Sequence, residues 1–224
     1  MSYQIAIDGP AGAGKSTIAK KLAAKLGFVY VDTGAMYRAM ALFCLRKGIA
    51  AEDEPAVVET VEKLKVIIAY ENGVQQVFVD GENVSSQIRT AEVGDMTSRI
   101  STYLPVREKM VALQQSLAEV QNVIMDGRDI GTCVLPNADV KIYMTASVRV
   151  RAERRYKEYQ EKGIPCTLES VEKDVEERDY RDMHRSHSPL RQADDAVLLD
   201  TSEMNIDEVV EAMAAIALEK GIVV

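Results

Sequence analysis

The chain has 224 residues, 47% hydrophobic and 28% charged, which is enough to bury one real core and too few for two full-sized domains. A formal net charge of −8 and a sequence pI near 5.0 exclude a protein that coats nucleic acid or anionic membrane through bulk charge, so any anion must be bound locally. Three cysteines, Cys44, Cys133 and Cys166, without CxxC spacing, fit a reducing compartment better than a disulfide scaffold.

The N-terminal stretch lacks the basic, apolar and small-residue segments of a secretory signal. Charge interrupts every apolar run before about 18 residues, so the expectation is a soluble cytoplasmic protein with no membrane or nucleic-acid partner. Gln4 to Asp8 reads as a short buried strand, and the helix after Lys15 continues to a stop at Gly27. FVYVD, residues 28–32, is a second strand, followed by a helix that ends at Gly48. Strand and helix in alternation predict a parallel sheet with crossover helices.

Between about Leu64 and Val84 the pattern changes to β-formers on both sides of Asn72-Gly73, the strongest short hairpin signal. An antiparallel insertion on the edge of the main sheet is expected there. Polar helical stretches follow, at roughly 90–103 and 106–119. NVIMDGRDIG and DVKIYMTAS then each read as a strand running into a loop. Two charged helices, 148–163 and about 168–184, a last strand in AVLLDTS and an amphipathic terminal helix complete the chain. The total is five parallel-type strands plus a hairpin, with no repeat and no linker that would separate domains.

Gly9, Pro10, Ala11, Gly12, Ala13, Gly14, Lys15 and Ser16 satisfy G-x-x-x-x-G-K-[ST] in full, between a strand and a helix. Glycines let successive backbone N–H groups turn inward around phosphate oxygens, and the helix that begins there adds its positive end. Lys15 supplies a charge for the outer phosphates and the Ser16 hydroxyl is placed to ligate Mg²⁺, so the stretch from Gly9 to Thr17 is assigned to ATP. A guanine-nucleotide switch would carry an Asn-Lys-x-Asp base reader and a motor ATPase an Asp-Glu pair at a strand end. The first string does not occur and the second is missing from the strand ends, which leaves a small-molecule kinase.

Acceptor residues are expected at the carboxyl edge of the sheet. The second strand delivers Asp32, Thr33, Tyr37 and Arg38 there, and the third delivers Asp126-Gly127-Arg128-Asp129, either a solvated turn or an arginine bidentate to phosphate. Arg178, Asp182 and Arg185 share one helix face at i, i+4 and i+7, as a salt-bridged surface or as a grip on an anion and a sugar. Arg151, Arg154 and Arg155 recur at i, i+3 and i+4, either solvated or folded over phosphates as a lid. His184 and His187 read as surface residues, and a phosphate acceptor needs no general base.

Together the phosphate loop, DTGAMYR, ENVSSQIRTAEVGDMTSRIS, VRE, DGRDIGT and ERDYRDMHR resemble the bacterial cytidylate kinase family over nearly the whole chain. The resemblance implies an α/β, three-layer P-loop fold like that of adenylate kinase, with a five-stranded parallel sheet. In a single domain it places a core (1–59, 99–146, 164–224), an antiparallel monophosphate-binding insert (60–98) and a short lid (147–163). Thr33, Tyr37, Arg38, Ser98, Arg107, Arg128, Asp129, Arg178, Asp182 and Arg185 match the family's monophosphate site. Of these, Ser98, Arg107 and Asp129 match the cytosine readers, Arg38 and Arg128 the phosphate holders, and Arg178 with Asp182 the sugar grip.

The implied reaction is ATP-dependent phosphorylation of CMP and dCMP by a monomer. Lys15, Arg128, Arg151, Arg154 and Arg155 are the catalytic candidates, with Mg²⁺ on Ser16. A kinase of another small acceptor and a regulatory nucleotide-binding module are the rival readings.

Overall fold

The computed structural model describes residues 2–223. The first half of the chain forms β1 (Gln4–Asp8), α1 (Lys15–Leu26), β2 (Val29–Asp32), α2 (Thr33–Arg46), α3 (Glu54–Lys63), β3 (Val66–Glu71), β4 (Val74–Val79), β5 (Glu82–Asn83), α4 (Ala91–Ile100) and α5 (Leu104–Glu119). The second half adds β6 (Val123–Gly127), β7 (Val140–Thr145), α6 (Val148–Glu161), α7 (Leu168–His184), β8 (Val197–Asp200) and α8 (Ile206–Glu219). Among the described residues no helix is long and apolar enough to cross a membrane.

One five-stranded sheet runs in the order β2-β6-β1-β7-β8, and β1 pairs in parallel with β6 on one side and β7 on the other. A strand with neighbours on both edges and helices on its faces has no polar side, and Ile5, Ala6 and Ile7 are accordingly buried without alternation. The register sets Asp8 opposite both Gly127 and Tyr143. The loops that follow β1 and β6 therefore leave the sheet at one level, at the point where strand order reverses.

The chain divides into two compact units. The first comprises the chain up to Tyr30 and from Gln121 onward. Its core is built from Ile5 and Ile7, Leu22 of α1, Ile124, Ile142 and Met213 of α8, with Phe28 and, on β2, Tyr30 packed among them.

The second unit spans Val31–Val120 and includes the segment 60–98 that was expected as an insert. Here α2 packs on α4, α3 and β4. Asn72 (φ 51°) and Gly73 (φ 76°) make the expected tight turn, with Glu71 opposite Val74. The hairpin does not extend the edge of the main sheet, contrary to expectation. Asp80 (φ 49°) and Gly81 (φ 87°) turn the chain again, and β5 supplies β4 with a second partner, so β3-β4-β5 close as a sheet of their own.

A second departure follows β6. The segment read as a loop winds instead into a π-helical turn, Ile130–Val134, in which the N–H of Val134 donates to Asp129 O (3.2 Å) and that of Leu135 to Ile130 O (2.7 Å). Such widened turns are rare and occur mostly at functional sites.

The phosphate-loop glycine at the end of β1 is fixed by space as well as by conformation. Gly9 has φ +148°, and a Cβ there would lie 1.9 Å from the Met144 carbonyl oxygen of β7. Gly9→Ala is therefore expected to lose at least ~3 kcal/mol of folding stability in urea denaturation, because backbone rather than a movable side chain is in the way.

Candidate active site

In the first unit, α1 starts at Gly14, a left-handed residue (φ 91°) with no side chain to cap the first N–H groups of the helix. That leaves an anion-binding helix start behind the glycine loop. Lys15 is buried with its Nζ turned back on the loop, donating to Gly9 O (2.7 Å) and Pro10 O (2.8 Å). Burial lowers the Lys15 pKa well below the ordinary range, and the neighbouring Arg128 lowers it further. The Ser16 hydroxyl donates to Asp126 Oδ2 at 2.8 Å, while Asp126 Oδ1 accepts from the Tyr30 hydroxyl at 2.7 Å.

Directly after β6, Arg128 donates through Nε to Asp182 Oδ2 of α7 (2.8 Å). Arg178 Nε stands 3.9 Å from the same oxygen, one helical turn away. Arg185 lies 3.4 Å from Asp129 Oδ1 through a terminal nitrogen and donates through Nε to Ser188 O (2.7 Å). Three guanidinium groups thus share two buried carboxylates, with Asp126 and Asp179 also acting on Arg128. Burial alone would raise the Asp182 pKa, but Arg128, Arg178 and Arg185 outweigh it and hold the carboxyl below its ordinary value. Arg128 is likewise opposed by burial, and the carboxylates of Asp182, Asp126 and Asp179 raise its pKa above the usual arginine range.

The three arginines of α6 have separate fates. Arg151 is 3% exposed and uses its whole guanidinium on protein: Nε to Ala146 O (2.9 Å), Nη1 to Ala11 O of the phosphate loop (2.9 Å) and Nη2 to Asp179 of α7 (2.6 Å). Arg154 donates to Ala13 O (3.3 Å) and to Thr201 O (2.7 Å). Arg155 stays within its own helix, on the Tyr159 hydroxyl (2.8 Å).

The second unit gathers its own set. Asp32 caps α2 by accepting from the Ala35 N–H (2.9 Å), and the Gln75 side chain of β4 bonds both the N–H and the C=O of Asp32 (2.7 and 3.1 Å). Thr33, Tyr37 and Arg38 therefore start from an anchored helix end. The Arg38 guanidinium donates to Ile88 O (3.1 Å) and lies 3.3 Å from where a Cβ of Gly94 would be, on the α4 face that carries Ser98 one turn later. Ser98 is 4% exposed and its hydroxyl has no partner. The Arg107 guanidinium sits over the Tyr37 ring, 5.8 Å from its centre.

Of the histidines, His184 is exposed and stacks on Tyr180 with ring centres 4.0 Å apart, and His187 is exposed. Among the described residues no group of three or more His, Cys, Asp or Glu is arranged to hold a metal.

Sequence reasoning missed Asp8 and Asp179 as site residues, and placed Asp126 at the sheet edge without naming its partners. Asp8 accepts from two successive N–H groups, Ile130 (2.8 Å) and Gly131 (2.7 Å), and so fixes the turn after Asp129. The signal for Asp126 was the DGRD string itself, but its pairing with Ser16 depends on β6 being next to β1, which no local pattern reports.

Burial raises the Asp8 pKa from an ordinary 3.8 to about 6 in spite of those two donors. A raised folded-state value means that the protonated acid favours folding. The contribution is complete below about pH 4 and is lost as pH rises through about 6, a total of ~3 kcal/mol. Urea denaturation of the native chain and of Asp8→Asn between about pH 4 and 7 should show the native chain losing that amount relative to the variant, whereas parallel pH profiles would contradict it.

A family model described as Cytidylate kinase matches residues 5–219. The cytidylate kinase of Lactobacillus johnsonii is 50% identical over 217 residues, covering 97% of this chain and 94% of the relative. That of Listeria monocytogenes serovar 1/2a is 51% identical over 214 residues, covering 95% of each. Among solved structures, an uncharacterized protein from Eubacterium ventriosum aligns with a TM-score of 0.53 at 10% identity over 96% of this chain and 97% of that one, a likeness of fold alone. With half of its residues identical to such relatives and the family's pattern matched almost end to end, the chain belongs to the cytidylate kinase family.

Proposed function

We propose that the chain transfers the γ-phosphoryl group of ATP to CMP or dCMP, releasing ADP and the corresponding diphosphate. The observation that carries this reading is the pairing of β1 with β6. It sets a phosphate loop with Lys15 and Ser16 on one strand, and Arg128 with its carboxylate and guanidinium neighbours directly after the adjacent one. A donor phosphate and an anionic acceptor are both served at the same sheet edge.

The acceptor oxygen is already ionised, since the second phosphate pKa is near ~6, so transfer depends on alignment and charge neutralisation. The exposed histidines agree with a reaction that requires no base. Lys15 leaves its two carbonyl acceptors for the outer phosphates of ATP, and the amides from Gly9 to Thr17 cradle them. Arg155, and Arg151 and Arg154 on exchanging their present partners, neutralise charge on the transferring group. Arg38 and Arg128 hold the acceptor phosphate, and Arg178 with Asp182 grips the sugar. Thr33, Tyr37 and Arg185 complete the set. Ser98, Arg107 and Asp129 read cytosine, whose amine suits a carboxylate acceptor that would repel the carbonyl of uracil.

The Ser16 hydroxyl and the Asp126 carboxylate, 2.8 Å apart, form a hard oxygen pair of the kind Mg²⁺ takes when phosphates and water supply its remaining ligands. Held by Ser16 and Asp126, Mg²⁺ would supply positive charge that offsets the charge of the ATP phosphates.

Steady-state rates with ATP and a panel of CMP, dCMP, UMP and AMP should show ATP consumption only on adding acceptor, with CMP and dCMP well ahead of UMP. Equal efficiency with UMP would overturn the cytosine assignment, and ATP loss without acceptor would favour a regulatory module. Ser98→Ala separates binding from folding. Removing a buried hydroxyl that has no partner should leave thermal stability equal or higher, while KM for CMP rises roughly 10-fold through loss of one hydrogen bond to the ligand.

A further inference from the structure

Tyr30 is buried in the apolar cluster that also holds Ile18 of α1 and Phe28, where a phenylalanine would serve the packing as well. Its hydroxyl is the part that packing does not explain. A buried phenol needs a partner, and this one donates to Asp126 Oδ1 at 2.7 Å. The other carboxylate oxygen, Oδ2, accepts from the Ser16 hydroxyl at 2.8 Å. The two oxygens of one carboxylate are thus assigned to different duties, one to a fixed phenol and one to the residue at the start of α1. Asp126 is 5% exposed, so neither oxygen is supplied by bulk water.

We infer that Tyr30 is a positioning residue for the divalent cation, its hydroxyl locking the Asp126 carboxylate so that Oδ2 faces the cation beside Ser16. The inference rests on the reading of Ser16 and Asp126 as the cation's protein ligands. A carboxylate with one oxygen tied to a rigid ring cannot rotate about its last bond without breaking a buried hydrogen bond. The orientation that suits the cation is therefore set before nucleotide arrives, and the ordering cost at binding falls. Outer partners of ligating carboxylates typically carry 10–100-fold in metal affinity. Tyr30→Phe removes the oxygen and keeps the ring in its apolar cluster.

The test reads metal coupling directly rather than turnover. Isothermal titration of the nonhydrolysable ATP analogue AMP-PNP into the protein, once with excess Mg²⁺ and once with EDTA, gives the Mg²⁺-dependent gain in affinity. For Tyr30→Phe the gain should shrink by about 10-fold with the EDTA affinity unchanged, while the thermal midpoint in EDTA falls by a few degrees for the lost buried hydrogen bond. Asp126→Asn serves as the reference and should abolish the gain. If Asp126→Asn abolishes it and Tyr30→Phe leaves it intact, the positioning role is wrong and the cation ligands stand. If Tyr30→Phe weakens both arms equally, the residue is merely structural and the inference again fails. If Asp126→Asn keeps the full gain, the assignment of the cation ligands falls and takes the inference with it.

Discussion

Lys15, Arg128, Arg178 and Arg185 repel one another, and the first compact unit keeps them together by burying carboxylates among them. Two like charges about 4 Å apart at a partly buried site cost on the order of 4 kcal/mol, more than a surface hydrogen bond returns. Asp182 offsets this for Arg128 and Arg178, and Asp129 does so for Arg185. Lys15 is disfavoured as a cation chiefly by its burial and next by Arg128, while Asp126, Asp8 and Asp182 act the other way. Buried cations gathered at the end of β1 and β6 are what a site for phosphorylated ligands requires.

The same unit ties two arginines of α6 to the phosphate loop. Arg151 donates to the carbonyl of Ala11 and Arg154 to that of Ala13. Carbonyl partners are neutral. Exchanging them for phosphate oxygens trades an ordinary hydrogen bond for a charge-assisted one, roughly twice as strong. Arg151 is the more heavily committed of the two because Asp179 also holds it, and its release involves breaking an ion pair buried at the α6–α7 contact.

What could be read in the sequence was whatever a local constraint spells. The phosphate loop is legible because its geometry admits only glycine at set positions, and Gly9, pressed against Met144, is the plainest case. Asn72-Gly73 gave the hairpin because a tight turn demands positive φ, yet nothing local told whether that hairpin would join the main sheet or close on β5. Arg128, Asp182 and Arg185 could be nominated from charge and helical spacing, but not the way they are paired. The partners of Asp8 and Asp126 were out of reach for another reason. They lie 122 and 110 residues away, brought near only by the strand order around β1. The π-turn at Ile130 had no signal, since Gly131 argues against any helix and only the two N–H bonds to Asp8 explain its winding.

One consequence concerns how such a chain is free to diverge. Because Ala11 and Ala13 lend their carbonyls to Arg151 and Arg154, the phosphate loop is tied to a helix some 140 positions later, and a Cβ added at Gly12 would lie 3.3 Å from the Arg151 Cβ. The loop and α6 therefore share one fate, and drift in either segment is tolerated only where the other moves to match.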